Sequence, residues 1–123
     1  AGVIRFRGTM DKVEFVKVIK EVVESSSVEN IIENLFDPPG RSPDKRLLEQ
    51  SKWFKSLPSG DQALVQSLIE DAVRESIFGM FCVLDGVRSI ASDNSSMNIQ
   101  LIIGDSLIND IESEYLHDIY QNV

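Results

Sequence analysis

One cysteine, Cys82, and one histidine, His117, stand among 123 residues. A lone thiol forms no internal disulfide and suits a reducing cytoplasm. Zinc sites of the usual kind need more Cys and His than this chain offers. No apolar run approaches the roughly 20 residues of a membrane span; the longest, Ile77 to Leu84, has eight. No basic stretch leads into an apolar block at the start, so no secretion signal is visible, and Met10 also fits a natural start. The segments "RSP" and "SGD" lack the repeated glycines and the lysine of a phosphate-cradling loop.

Basic residues are scarce in one place. Residues 1 to 62 carry ten Lys/Arg and ten Asp/Glu, whereas residues 63 to 123 carry two basic residues, Arg74 and Arg88, against ten acidic ones. The whole net charge of −8 therefore falls in the second half of the sequence. Such a surface repels phosphate, which argues against nucleic acid, and attracts a basic protein. An apolar share of 42% supports a real core, and 123 residues fit one domain.

Periodicity supplies the elements. "VIRFR" alternates like a short strand or arm. Met10 to Glu24 reads as a helix capped by Thr9, wet at Glu14, Lys17, Lys20, Glu21 and Glu24 and dry at Val13, Val16, Ile19, Val22 and Val23. Ser27 opens a second helix that stops at Asp37-Pro38-Pro39, since proline has no N–H and its predecessor leaves helical geometry. Ser42-Pro43 opens a third, with Leu47, Leu48, Ser51, Phe54 and Leu57 inward, and Pro58 ends it. Ser59 with Gln62 predicts a capping box for a fourth, with Leu64, Val65, Leu68, Ile69, Ala72 and Val73 on its inner face.

After Ser76 the fourth helix loses its wet face and runs into the interior, carrying Cys82 with it. Burial raises a thiol pKa where reactivity needs it lowered, so Cys82 reads as structural. Gly79 leaves room for a neighbouring backbone. Asp85-Gly86 suits either a hairpin turn or a helix C-cap, and continuity from Ser59 favours the cap. Asp85 and Arg88 are placed to pair with each other or to brace the turn. Beyond them, "VRSI" suits a strand, "ASDNSSMN" a loop, and "IQLII" and "SLINDI" a hairpin around Gly104-Asp105. "SEYLHDIYQ" closes the chain as a short helix with Tyr115, Leu116, Ile119 and Tyr120 inward. The expected architecture is one α+β domain over 1–123: about four helices, a small antiparallel sheet and a short C-terminal helix.

Chemistry is thin. Glu114 and His117 make one Glu-x-x-His, but di-metal bundles use two with further carboxylates. A Cys82–His117 nucleophile pair needs the two together in space. No metal, cofactor or catalytic residue is assigned.

The stretches "FGMFCVLDGVRSI" and "EYLHDIY" resemble a group of small bacterial immunity-type proteins. The resemblance covers about a sixth of the chain, on mostly apolar residues. It implies an inhibitor that binds a cognate toxin domain in the cytoplasm, and it carries no catalytic residues over. A nuclease-type toxin would be basic, and fixed carboxylates would match its field. Candidates are Asp93, Asp105, Asp110, Glu112, Glu114 and Asp118, with Tyr115 and Tyr120 as anchors. The rivals are a small enzyme using carboxylates or His117, and a self-associating structural protein.

Overall fold

The computed structural model describes residues 10–90 and 99–123, so the expected "VIRFR" strand, the Thr9 cap, the "ASDNSSMN" loop and Asp93 lie outside the described residues. In order along the chain, the elements are α1 (Lys12–Ile19), a π-helical stretch (Lys20–Ser25), α2 (Ser26–Phe36), α3 (Lys45–Ser56), α4 (Ser59–Leu84), β1 (Ile102–Ile103), β2 (Ser106–Leu107) and α5 (Leu116–Asn122). The class is α+β, as the periodicity predicts. Contacts divide the chain into two compact units. One comprises the described parts of Ala1–Glu21 and Ser76–Val123, and the other is Val22–Glu75.

In the first unit α1 packs on α5. The α1 cap is Asp11, whose carboxylate accepts from the Glu14 amide at 2.8 Å while the Glu14 side chain reaches back to the Asp11 amide. The core is Val16, Phe81, Ile108, Leu116, Ile119 and Tyr120. Phe81 sets its ring edge-on to Tyr120 at 5.3 Å and to Phe15 at 6.2 Å. Each such buried side chain contributes roughly 2 kcal/mol by leaving water. The end of α4 settles the ambiguity of Asp85-Gly86. Gly86 has φ +78°, its amide donates to the Val83 carbonyl at 3.1 Å, and the Val87 amide donates to the Cys82 carbonyl at 3.0 Å. That pair of bonds is a Schellman C-cap, which satisfies two carbonyls the helix leaves open. The chain then runs on without a strand, so "VRSI" is not one. The following hairpin pairs Ile102 with Leu107 and Ile103 with Ser106, and Gly104 at φ +59° makes its turn.

In the second unit α2 packs on α3 around Leu35, Ser51 and Phe54. Phe36 and Phe54 meet edge-on at 5.1 Å, and the Ser51 hydroxyl donates to the Leu35 carbonyl at 2.7 Å. Asp44, not Ser42, caps α3 by accepting from the Arg46 amide. Ser59 lies inside α4, and Gln62 donates its side-chain amide to the Phe54 carbonyl at 3.1 Å, closing the end of α3 rather than boxing its own helix.

Several expected faces shift, and Val13 of α1 and Leu48 of α3, both expected inward, are 43% and 46% exposed. The helical run does not break at Ser27; the π-helical stretch joins α1 to α2 and changes the phase of the residues within it. Glu24, expected on the wet face, is consequently buried, and Arg74 approaches its carboxylate at 3.7 Å. Val22 and Val23 turn outward instead. On α4, Val65, Ile69 and Val73 are half-buried, whereas Leu64 and Leu68 are 65% and 67% exposed.

Candidate functional site

The polar centre of the first unit is Asp85, the residue that ends α4. Its side chain is fully buried. Oδ1 accepts from the Leu116 amide at 3.0 Å, and Oδ2 accepts from the His117 amide at 2.9 Å. These are first-turn amides of α5, which have no intrahelical partner. The residue at the α5 cap position, Tyr115, supplies no side-chain bond. A carboxylate from another helix therefore does the capping, and its charge suits the positive end of the helix.

Oδ2 also sits 2.6 Å from Nδ1 of His117. As a carboxylate Asp85 only accepts, so Nδ1 donates. Nε2 faces Asp118 Oδ1 at 3.4 Å. The imidazole stacks on Tyr115 at 5.4 Å and meets the edge of Phe78 at 5.6 Å. Both ring nitrogens thus face carboxylates, and Cys82 is buried in the core of the same unit. The Asp85–Arg88 pairing does not form; Arg88 instead lays its guanidinium over Gly79, where an added Cβ would meet Nη1 at 2.5 Å. What approaches Gly79 is a side chain, not a backbone.

Asn109 is the second buried polar hub. Its Oδ1 accepts from the Leu101 amide at 2.7 Å, and its Nδ2 donates to the carbonyls of Leu84 and Ile99, each at 2.6 Å. One side chain thereby ties the hairpin to the end of α4. Beside it opens a cleft of about 270 Å³, walled by Val83, Leu84, Val87, Ile99, Ile111 and Tyr115. Asp85 and Asn109 reach it too, but the bonds above already engage their polar atoms.

The expected partner-binding residues separate into three groups. Asp105, Glu112 and Glu114 are exposed. Asp110 and Asp118 are half-buried and engaged: Lys12 pairs with Asp110 at 3.0 Å, and its ammonium also donates to the carbonyls of Asp110 and Glu114 and to the Ser113 hydroxyl. The Lys12 ammonium and then the Ser113 hydroxyl hold the Asp110 carboxyl below its ordinary value. Tyr115 lines the cleft, whereas Tyr120 is a core residue, 6% exposed, with its ring against Phe81.

Charge is also less one-sided than in the sequence. The described residues of the first unit carry nine acidic and four basic groups, net −5, and the second unit carries ten and six, net −4. The reason is that α1, with Lys12, Lys17 and Lys20, folds against the acidic C-terminal segment. What remains one-sided is 99–123, with five carboxylates and no lysine or arginine. Next to those carboxylates lie exposed apolar side chains, Ile102, Leu107 and Ile111, the last 72% exposed. That pairing of a cleft with exposed apolar and acidic neighbours is legible only once the fold exists. Among the described residues no cluster of His, Cys, Asp and Glu could hold a metal ion, and no helix is long and apolar enough to cross a membrane. Comparisons with protein-family models, with curated proteins and with solved structures found no match to this chain.

Proposed function

We propose that this chain binds another protein and acts as an immunity-type inhibitor of a basic, nuclease-type toxin domain. One observation carries the reading: a cleft of mixed lining, with Ile111 and Tyr115 among its walls, opens between the end of α4 and a segment, 99–123, whose only charged side chains, the lone His117 aside, are carboxylates. The exposed Glu112 and Glu114 fall between those two wall residues in the chain. Protein interfaces draw affinity from a few apolar or aromatic anchors in pockets, and specificity and association rate from matched charge. Ile111, the cleft and Tyr115 offer the first; Asp105, Glu112 and Glu114 offer the second. The resemblance of "FGMFCVLDGVRSI" and "EYLHDIY" to immunity-type proteins points the same way.

The test is a calorimetric titration against the toxin domain encoded beside the gene. The expected result is a tight one-to-one complex, weakened by added salt and by the double substitution Glu112→Lys/Glu114→Lys. Absence of binding at micromolar concentrations in low salt would overturn the proposal.

A second reading, a small enzyme, draws on the Asp85–His117 contact, because a carboxylate on Nδ1 is how imidazole bases are oriented. It requires Nε2 to meet a substrate, where it now meets Asp118. A pH-dependent hydrolytic activity lost in His117→Gln would favour it.

A further inference from the structure

The second unit carries two exposed stripes of opposite charge with the same spacing. On α3, Lys45, Leu48, Lys52 and Lys55 follow one another at three, four and three residues, flanking the face that buries Ser51 and Phe54. All four are exposed, Leu48 by 46%. On α4, Asp61, Leu64, Leu68 and Asp71 repeat those steps, beside the half-buried face of Val65, Ile69 and Val73, and all four are exposed. Steps of three and four keep residues on one side of a helix and form the seam along which helices pair. Laid side by side in the same direction, Lys45 meets Asp61, Leu48 meets Leu64, the stem of Lys52 covers Leu68, and Lys55 meets Asp71.

Leucines as open as Leu64 and Leu68, together on one helical face, are the kind of apolar patch that marks an interaction site. The complement they need, an apolar residue among lysines at matching intervals, is present on the same chain. We propose that the protein associates with a second copy of itself, α3 of each copy lying along α4 of the other. A two-fold axis would make the contact reciprocal, α3 of each copy on α4 of the other. Exposed ion pairs add little energy individually, so the leucines supply the affinity and the charges set partner and register. Neither the cleft nor Glu112 and Glu114 take part, so this proposal and the inhibitor reading fail separately.

The experiment is sedimentation velocity on the whole chain and on two charge-reversed variants, Lys45→Asp/Lys55→Asp and Asp61→Lys/Asp71→Lys, with circular dichroism confirming that each is folded. The wild type is expected to be a dimer that loosens with added salt. Each variant alone should associate at least about tenfold more weakly, because like charges then face each other. Mixing the two variants should restore the dimer, since every reversed pair is again opposite in sign. Leu64→Gln, at a position 65% exposed, should weaken association without changing the helical content. A wild type that stays monomeric at its solubility limit, or a mixture no more associated than its components, would overturn the proposal.

Discussion

Asp85 and His117 lie 32 residues apart in the chain and 2.6 Å apart in space, carboxylate oxygen to ring nitrogen. The same carboxylate takes two first-turn amides of α5, so one buried group holds both the ring and the helix start. Replacing it with alanine leaves those donors unpaired in the interior. Asp85→Ala should lose about 2–4 kcal/mol of stability, and Asp85→Asn, which keeps an acceptor, less. Urea unfolding measures both. A loss under about 1 kcal/mol for the alanine variant would mean water replaces the carboxylate.

Asn109 makes three hydrogen bonds, to Leu101, Leu84 and Ile99, and an isolated hairpin is marginal without such anchoring. Asn109→Ala should cost about 2–3 kcal/mol. The informative readout is amide hydrogen exchange: Leu101, which donates to Asn109, and Ile108, which donates to the Leu101 carbonyl at 2.8 Å, should lose protection first. If they exchange no faster than in the wild type, the hairpin is held elsewhere.

The Lys12–Asp110 pair gives stability a pH dependence of known sign. The native carboxyl of Asp110 ionises below its ordinary value of 3.8, mainly through the Lys12 ammonium. Its contribution is therefore complete above the unfolded value and is lost as pH falls through the lower native one. Lys12→Met should destabilise at neutral pH, with a penalty that shrinks below about pH 4 as Asp110 takes up a proton. A penalty independent of pH down to acid unfolding would assign the whole effect to the lysine's carbonyl bonds.

At Gly79 the neighbour is the far end of a flexible, exposed side chain. Gly79→Ala should push the Arg88 guanidinium aside and otherwise be tolerated, because alanine gains up to about 1 kcal/mol of helix propensity. A thermal melt within a few degrees of the wild type is expected. A large drop would mean that the contact of Arg88 with α4 is itself a major source of stability.

The sequence made the helices plain, along with the burial of Phe81 and Cys82 near the end of α4, the hairpin turn at Gly104 and the inward face of α5, though not the strand expected at "VRSI" or the exposed Met80. Those features rest on local periodicity and turn chemistry, which act over a few residues. It was misleading wherever phase or partner depended on distant residues. The buried Glu24 follows from a π-helical stretch that no composition rule marks, and its partner Arg74 comes from another helix. Leu64 and Leu68 fit an inward stripe as well as Val65 and Ile69 do; only packing decided which pair turns out. The choice of Asp85's partner had the same character. Arg88 is nearby in sequence and opposite in charge, whereas His117 and the start of α5 are remote, and the remote group prevailed because it brings two amides and a ring nitrogen at once. The even share of charge between the units was invisible because it requires α1 to meet the C-terminal segment.

The capping of α5 by Asp85, the residue that follows α4, has a kinetic corollary. With seven residues and no cap of its own, α5 is too short to persist in isolation. Its first-turn amides of Leu116 and His117 find their acceptor only in Asp85, which the Schellman turn at Gly86 holds in place. Fraying at the last turn of α4 should thus release the final helix in the same step, so that the two ends open and close as a single cooperative event.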